Sequence, residues 1–388
     1  MRAWSKSKIS LRRDLVNGVV DQIMLSDRLQ KSWEDLQKKG LVRTSRIIER
    51  VEGPFVWVEG RERLLFASND YLGLGQHPKV LEASRSTTPF GWAPASSRLL
   101  SGTTRLHISL EERLAEFLGT ESALFFPSGY MANLGLLTSV AGPGVTLFSD
   151  AENHASLIDA CRLSRARVEV FPHADIEAVR EAVQISGEKI LLTDSVFSMS
   201  GQVAPLRDLS AIAQETSTDL IVDEAHGFGI FGEGRGVVAQ TGVEVPLRTI
   251  TLSKAAGSIG GAVAGKKTLV DYLRTKARTF MFTTSPPSSV CAAALASLSL
   301  LEEGSRREKL WENIRYFSPQ ATSPIIPFVL GENRRAVAAS ETLWESGFWV
   351  PAIRPPAVAE GGAQLRISLS ALHTKEHLDR LRDALDKI

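Results

Sequence analysis

The chain has 388 residues, of which 43% are hydrophobic and 23% charged, and its formal net charge is +1. This composition is typical of a globular protein with room for two domains, and the small charge argues against nucleic acid or an acidic membrane surface as a partner. Cys161 and Cys291 give neither a disulfide framework nor metal-ligand spacing, which favours a reducing cytoplasm. The sequence has no apolar stretch long enough to span a bilayer.

The first 23 residues are basic and contain serines, but they lack the apolar core of a secretory signal. Two interpretations stay open for them: an organelle transit peptide, or a stretch upstream of a natural start at Met24. Residues 25–39 predict an amphipathic helix that ends at Gly40, since glycine often follows a helix. Residues 47–67 then predict a hairpin, because short apolar runs alternate there with glycine turns.

Further along, two apolar runs end in side chains that carry chemistry. Leu220–Val222 is typical of a strand buried on both faces of a parallel sheet, and Asp223 and His226 follow it. Residues 248–252 predict a second strand, which leads to Lys254. Ligands bind beyond the carboxyl ends of strands in open α/β sheets, so we expect the acid, the imidazole and the amine in one crevice. Glu224 follows Asp223 directly and should therefore point to the opposite face.

Three motifs compete for this stretch. The glycines of residues 227–232 fit a dinucleotide-binding pattern, but no helix is predicted after them. Residues 223–226 spell a helicase box, yet the nearest phosphate-loop candidate, 260–267, lies downstream and lacks the Ser or Thr that would hold magnesium. A site for pyridoxal 5'-phosphate (PLP) uses all the parts, because PLP needs a lysine amine and an acid partner for its ring nitrogen. Taken singly, Asp223 would more simply cap a turn and Lys254 would be a solvated lysine.

The segments VDEAHGFGIFGEGRG and TLSKAAGSIGG resemble the aspartate and lysine signatures of the α-oxoamine synthases, a family of fold-type-I PLP enzymes. The blocks SNDYLGL, PSGY and NHAS occur in the order that this family has, so the resemblance covers nearly the whole chain from about residue 25. It implies an α/β fold of the aspartate-aminotransferase type, with a mostly parallel sheet in a large PLP-binding domain and a smaller C-terminal α+β domain. The implied bounds are 1–60 for an N-terminal arm, helix and hairpin, 61–304 for the large domain and 305–388 for the small domain.

The resemblance also implies roles for single residues. Lys254 would hold the cofactor and act as the base, Asp223 would support the ring nitrogen, and His154 would stack on the ring and assist proton transfer. Arg366 lies among apolar neighbours on a predicted strand, so it either pairs with a protein acid or binds a carboxylate, and the resemblance favours the substrate's carboxylate. Further cofactor contacts are implied for Ser128, Gly129, Tyr130, Ser198, His226, Thr251, Thr283 and Thr284. Further substrate contacts are implied for Asn69 and for Arg43, which competes with Arg46 and Arg50.

The segments GFWVPAIRPP and PIIPFVLG narrow the resemblance to the members that join L-alanine to a pimeloyl thioester, on coenzyme A or a carrier protein, in biotin biosynthesis. The family also implies a homodimer, with residues 282–287 crossing to the partner's phosphate site. Two features depart from the family: Ala357 stands where a threonine is usual, and residues 85–98 are compressed near the acyl-donor entrance. The alternatives are a glycine-using member (2-amino-3-ketobutyrate ligase or 5-aminolevulinate synthase) and a catalytically silent subunit of the same fold.

Overall fold

The computed structural model describes residues 25–39, 41–42 and 45–388. The chain divides into two compact units, residues 1–47 and residues 48–388. In the first unit, Leu25–Lys38 is helical, which confirms the predicted helix to within one residue, and its apolar side chains Leu29, Trp33 and Leu36 are exposed. The interpretations of residues 1–24 and of Gly40 fall outside the described residues.

Short helices and strands alternate through most of the second unit, as the apolar runs predict. No helix in the described ranges is long and apolar enough to cross a membrane. The elements in chain order are α1 (Leu25–Lys38), β1 (Arg50–Glu52), β2 (Phe55–Val58), β3 (Arg61–Leu65), α2 (Pro78–Arg85), α3 (Arg105–Leu118), β4 (Ser122–Phe126), α4 (Gly129–Val140), β5 (Val145–Asp150), α5 (Ala155–Ser164), β6 (Arg167–Phe171), α6 (Ile176–Ala182), β7 (Glu188–Asp194), α7 (Leu206–Glu215), β8 (Asp219–Asp223), α8 (Val237–Thr241), β9 (Leu247–Thr251), β10 (Gly261–Gly265), α9 (Lys267–Lys276), α10 (Arg278–Met281), α11 (Ser288–Glu303), α12 (Ser305–Phe317), β11 (Ile325–Gly331), α13 (Asn333–Glu345), β12 (Phe348–Trp349), β13 (Ala352–Ile353), β14 (Ala363–Ser368) and α14 (Lys375–Leu385).

A seven-stranded sheet forms the centre of the second unit, with the strand order β4-β10-β9-β8-β7-β5-β6. Strand β10 runs antiparallel to both of its neighbours, β4 and β9, and the remaining neighbouring pairs of this sheet are parallel. The middle strands are buried along nearly their whole length, and separate apolar clusters cover the two faces. The carboxyl ends of β4, β5, β7, β8 and β9 therefore meet at one edge, as expected for a ligand crevice.

Residues 260–267 resemble a phosphate loop in sequence, but in the structure they contain strand β10. Gly261 pairs with Thr251 on one side and with Phe126 on the other, so the segment is a regular central strand. Its residues are Gly, Ala, Val, Ala and Gly, all small, and all are buried. A Cβ at Gly261 would lie 2.5 Å from the Cα of Gly129, so the small side chains allow the start of α4 to approach the sheet closely.

Two smaller sheets complete the second unit. The predicted hairpin is confirmed as β1–β3, and β12 extends it in parallel beside β3. Strands β11, β14 and β13 form an antiparallel sheet, with helix α13 packed against β11 and β14. The fold is thus a large, mostly parallel α/β layer with a smaller C-terminal α+β part, as predicted.

The loop after β3 and the loop after β9 touch backbone to backbone. Gly257 has a φ of +57°, and a Cβ there would lie 2.6 Å from the carbonyl carbon of Leu74. The Asp70 carboxylate holds the first loop by accepting hydrogen bonds from the amides of Leu74 and Gly75, at 2.9 and 3.0 Å. These contacts fix the SNDYLGL block against the segment that carries Lys254.

We therefore expect Gly257→Ala to destabilise the protein strongly. The added methyl group meets backbone and the residue keeps a left-handed conformation, so the free energy of unfolding should fall by roughly 2–5 kcal/mol. Gly53 is a matched control, because its φ is also +57° but nothing lies within 4 Å of a Cβ there. Gly53→Ala should cost only about 1 kcal/mol. Urea unfolding measures both, and equal losses would show that the loop contact adds nothing.

Candidate active site

Two neighbouring strands bring two carboxylates to the crevice. Asp223 ends β8 and pairs in register with Asp194 at the end of β7, so both side chains leave the same face of the sheet. The Glu224 carboxylate instead accepts hydrogen bonds from the amides of Val237 and Val238, at 3.0 and 2.6 Å. The side chains of Asp223 and Glu224 thus point to different sides of the strand, as predicted, and they do not form a carboxylate pair.

The Lys254 amine lies in the same crevice. Its Nζ is 2.8 Å from Nε2 of His226. Burial lowers the pKa of Lys254 to about 8, although the charges of Asp223 and Asp194 act in the opposite direction. Burial and the charge of Lys254 hold the pKa of His226 well below its usual range, so this imidazole is neutral. The site therefore keeps an amine that loses its proton near neutral pH next to an uncharged histidine.

A hydrogen-bonded chain connects His154 to Asp223. Nδ1 of His154 lies 2.7 Å from the hydroxyl of Ser156, which accepts a hydrogen bond from Nδ2 of Asn133 at 2.8 Å. The same Asn133 nitrogen donates to Oδ2 of Asp223 at 2.6 Å. Asn133 is 1% exposed, so this amide fixes the Asp223 carboxylate without competition from water.

Asp194 is the second acid of the crevice. It is buried, and it accepts a hydrogen bond from the backbone amide of His154 at 3.1 Å. Burial, together with the charge of Asp223, raises the pKa of Asp194 well above its usual range. Asp194 therefore ionises less readily than an ordinary carboxyl group, and it anchors the loop that carries His154.

An anion cradle lies beyond β4 and β9. Ser128 caps α4 by accepting a hydrogen bond from the amide of Met131 at 3.1 Å. The first amides of this twelve-residue helix have no partner within the helix, and the helix dipole adds positive potential there. A Cβ at Gly129 would lie 3.3 Å from the Thr251 hydroxyl, which also lies 2.8 Å from that of Ser253. The start of α4 thus brings its free amides close to the hydroxyls of Thr251 and Ser253, an arrangement that suits a phosphate.

Arg366 lies on β14 and is 6% exposed. Its Nε donates to the carbonyl oxygen of Ser198 at 2.6 Å, and its Nη1 donates to the Oδ1 of Asn69 at 3.1 Å and the hydroxyl of Ser368 at 2.7 Å. Its Nη2 lies 3.4 Å from the hydroxyl of Tyr71. All these acceptors are neutral, and no carboxylate in the described ranges lies within ion-pair distance of this guanidinium. The sequence left open whether Arg366 pairs with a protein acid. Among the described residues, no such pair is found.

The remaining implied site residues have other partners, line another cavity or fall outside the described residues. Tyr130 is at the cradle, but its hydroxyl donates to the carboxylate of Asp159 on α5. Thr283 and Thr284 line a separate surface cavity of about 550 Å³. Arg43 is outside the described residues.

Four residues of the cluster had no role in the sequence interpretation: Tyr71, Asn133, Ser156 and Asp194. Each had a local signal. Tyr71 and Ser156 lie inside the SNDYLGL and NHAS blocks, Asp194 follows the apolar run Ile190–Leu192, and Asn133 lies four residues after Gly129 on the same helix face.

These residues fit PLP. The cradle of α4 suits a phosphate, the buried and fixed Asp223 suits a protonated ring nitrogen, and Lys254 offers an amine that is partly neutral near pH 7. A side chain at Gly129 or Gly261 would fill the space where the cradle approaches the sheet. The donor set along the carboxyl edge thus matches the three chemical groups of the cofactor.

The fold and this cluster define a fold-type-I PLP enzyme, and the family model for class I and II aminotransferases matches residues 61–385. The 8-amino-7-oxononanoate synthase of Marinobacter nauticus is 43% identical to the chain over 374 residues, which cover 92% of the chain and 95% of that protein. The chain therefore belongs to the 8-amino-7-oxononanoate synthases, which are PLP-dependent acyltransferases of biotin biosynthesis. The narrower resemblance drawn from the sequence is confirmed.

Solved structures agree with this assignment. A serine palmitoyltransferase from S. paucimobilis with a bound PLP–myriocin aldimine has a TM-score of 0.89 at 30% identity, and the match covers 95% of this chain and 98% of that one. The 8-amino-7-oxononanoate synthase from Francisella tularensis has a TM-score of 0.73 at 28% identity, with 84% and 96% covered.

Proposed function

We propose that this chain condenses L-alanine with a pimeloyl thioester, releasing CO2 and the free thiol of coenzyme A or a carrier protein. The names of the related proteins support the product, 8-amino-7-oxononanoate. The single observation that carries the amino-acid half is Arg366, a buried guanidinium with only neutral partners in the described ranges, next to the Lys254 crevice. A buried cation is costly without an anion, and an α-carboxylate supplies one bidentately.

The proposed roles follow the positions of the side chains. When bound, the cofactor supplies the electron sink for the substrate carbanion. Arg366 and Asn69 orient the alanine carboxylate, and Lys254 then takes the proton from the α-carbon. Because burial lowers the pKa of Lys254 to about 8, the amine can both accept that proton and return it near neutral pH. Asp223 would keep a proton on the ring nitrogen of the bound cofactor, and Asn133 fixes its carboxylate for this role.

The remaining residues are proposed to hold the cofactor. With the cofactor bound, His154 would cover one face of its ring, and Ser198 and His226 would contact its phenolic oxygen. The cradle of α4 would hold its phosphate. The residues proposed to hold it there are Ser128, Gly129, Tyr130 and Thr251, with Thr283 and Thr284 of a second subunit. Arg43 is proposed to contact the substrate.

Product formation tests this function. The purified protein, loaded with PLP, should turn over alanine in preference to glycine, and the mass of the product should identify the acyl group from a panel of thioesters of different chain length. Pimeloyl thioester is expected to be the best donor, with CoA and carrier-protein forms compared directly. Turnover with glycine and a short acyl donor, but not with alanine, would assign the chain to another branch of the α-oxoamine synthases.

We further propose a homodimer in the cytoplasm, with one active site completed by each partner. Exposed apolar side chains near the 283–284 segment support an interface there: Phe282 is 67% exposed and Leu100 83%. In one chain, the hydroxyls of Thr283 and Thr284 line the surface cavity rather than the Lys254 cluster. This placement suits residues that act in a partner's site.

Subunit mixing tests the dimer. Lys254→Ala and the double variant Thr283→Val/Thr284→Val should each be nearly inactive alone. Co-expressed as a heterodimer, one site combines an intact Lys254 with intact threonines from the partner, so activity should exceed the sum of the two variants. Mixed subunits without any gain, together with a monomer in sedimentation, would reject the shared site.

A further inference from the structure

A single buried hydroxyl connects the two ends of the crevice. Tyr71 is fully buried in the SNDYLGL block. Its oxygen lies 2.8 Å from Nδ1 of His226, 3.1 Å from Oδ1 of Asn69 and 3.4 Å from Nη2 of Arg366. His226 in turn reaches Lys254 through its other ring nitrogen, at 2.8 Å. Tyr71 therefore touches the carboxylate-binding end and the lysine end at once.

The direction of each hydrogen bond follows from which groups can donate. A guanidinium only donates, so the Tyr71 oxygen accepts from Arg366 and keeps its own proton for another acceptor. Asn69 Oδ1 already accepts from Arg366 at 3.1 Å, while Nδ1 of His226 is nearer to the hydroxyl. Burial raises the pKa of Tyr71 and lowers that of His226, so the phenol keeps its proton and the imidazole has only one. In the cofactor-free site the Lys254 ammonium donates to Nε2, so Nδ1 carries the imidazole proton and the Tyr71 hydroxyl donates to Oδ1 of Asn69. Once Lys254 is bound to the cofactor, Nε2 loses that donor, and a proton given by Tyr71 to Nδ1 then leaves the imidazole N–H on Nε2.

We propose that, in the PLP-loaded enzyme, Tyr71 is a positioning residue that forms a one-way hydrogen-bond relay from Arg366 to His226 and thereby fixes Nε2 of His226 as a donor toward the cofactor. The proposal rests on the proposed function, because it takes Arg366 as the site of the substrate carboxylate. An anion on Arg366 weakens the donation to Tyr71, and the change passes through one hydroxyl to His226. The relay thus couples amino-acid binding to the hydrogen bond at the cofactor's phenolic oxygen.

Tyr71→Phe removes only the hydroxyl and tests the relay in the PLP-loaded enzyme. The pH midpoint of the bound cofactor's absorption should rise by about 0.5–1 unit, because Nε2 is no longer held as the donor. The other charged or titratable groups that face His226 are Lys254, Arg366 and His154, and this substitution leaves all three in place. The Michaelis constant for alanine should rise by roughly 3–10-fold, because Arg366 loses one of its anchors. Tyr316→Phe is the matched control, since it removes a surface hydroxyl bonded to Asp379.

Two results would overturn the relay. One is a Tyr71→Phe enzyme with normal PLP content whose absorption midpoint and alanine Michaelis constant both equal those of the wild type. The other concerns His226→Gln, which keeps a donor near the cofactor but loses the Nδ1 acceptor. In the relay, this variant raises the Michaelis constant for alanine, and adding Tyr71→Phe has no further effect. Additive effects, or an unchanged constant in His226→Gln, reject the coupling even where Tyr71→Phe does not fold.

The absorption midpoint is measured without substrate, so it separates this proposal from the proposed function. A wild-type enzyme that fails to condense alanine with any pimeloyl thioester would overturn the substrate assignment. The midpoint of Tyr71→Phe would still decide whether the hydroxyl orients His226.

Discussion

Lys254→Ala is expected to lower kcat/KM by at least about 10³-fold, because it removes both the covalent anchor of the cofactor and the proposed base for the α-proton. The variant should bind PLP without the violet–blue absorption of the wild type. Borohydride should fix PLP to the wild-type chain, at the peptide that contains Lys254, and should leave the variant unlabelled. Mass spectrometry of the reduced, digested protein reads this out directly.

Lys189→Met is the matched control for loss of a buried lysine. Lys189 is 9% exposed at the start of β7, where its Nζ donates to the carbonyl oxygens of Val183 and Thr216 at 3.0 and 2.6 Å. Its loss should lower stability but leave the absorption and the labelled peptide unchanged. A Lys254→Ala protein that still carries borohydride-fixed PLP would place the anchor on another lysine.

The pH dependence of cofactor uptake tests the state of the same amine. Burial lowers the pKa of Lys254 to about 8, so at pH 7 about one amine in ten is neutral, against fewer than about one in a thousand for an ordinary lysine. Uptake of PLP by the cofactor-free enzyme should therefore rise with pH below 8 and level off above it. Stopped-flow absorbance measures the rate, and N-acetyl-lysine, whose rate should keep rising past pH 9, is the reference. A rate that still rises above pH 9 would show an unperturbed amine.

The sequence predicts the scaffold of this site because its signals are local. The apolar runs before Asp223 and Lys254 form β8 and β9, and the rule that parallel strands share a carboxyl edge places both side chains in one crevice. Helix α4 begins directly after Ser128, and a serine before a helical stretch is a start signal that the sequence itself carries. Apolar periodicity and the residues at the ends of these elements are therefore enough to predict them.

Other features depend on contacts that periodicity does not encode. Strand β10 is built of Gly, Ala and Val, and its small residues are chosen by the close approach of Gly129 rather than by strand propensity. Helix α12 was not predicted, although Leu310 and Ile314 recur at helical spacing on its buried face. The direction of Ser198 also required the structure, because its carbonyl oxygen, rather than its hydroxyl, bonds to Arg366.

The partners of Asp223 show the same limit. Asn133 lies 90 residues away in sequence, and only the packing of α4 on the sheet brings its amide to the carboxylate. The sequence therefore identified Asp223 as a site residue but did not identify Asn133 as its hydrogen-bond partner. A polar side chain one turn after the glycine of a phosphate-binding helix is the signal that would have identified it.

Arg366→Leu is expected to raise the Michaelis constant for alanine by roughly 10²–10³-fold, while PLP stays bound and keeps its absorption. The loss corresponds to two charge-assisted hydrogen bonds to a carboxylate in a buried site. Arg366→Lys keeps the charge but loses the planar fork, so its effect should lie between those of the wild type and the leucine variant. Steady-state kinetics with alanine as the varied substrate measures all three enzymes.

The substrate offers a second test of the same contact. Alaninamide lacks the carboxylate charge, so the wild type should bind it far more weakly than alanine, whereas Arg366→Leu should bind the two about equally. Arg248→Lys serves as the control for altering a buried guanidinium, because Arg248 bonds to backbone carbonyl oxygens near the opposite edge of the sheet. It should change stability and leave the discrimination intact. If Arg366→Leu still prefers alanine to alaninamide by the wild-type ratio, another cation binds the carboxylate. The hydrogen bonds of Arg366 to neutral acceptors would then have a purely structural role.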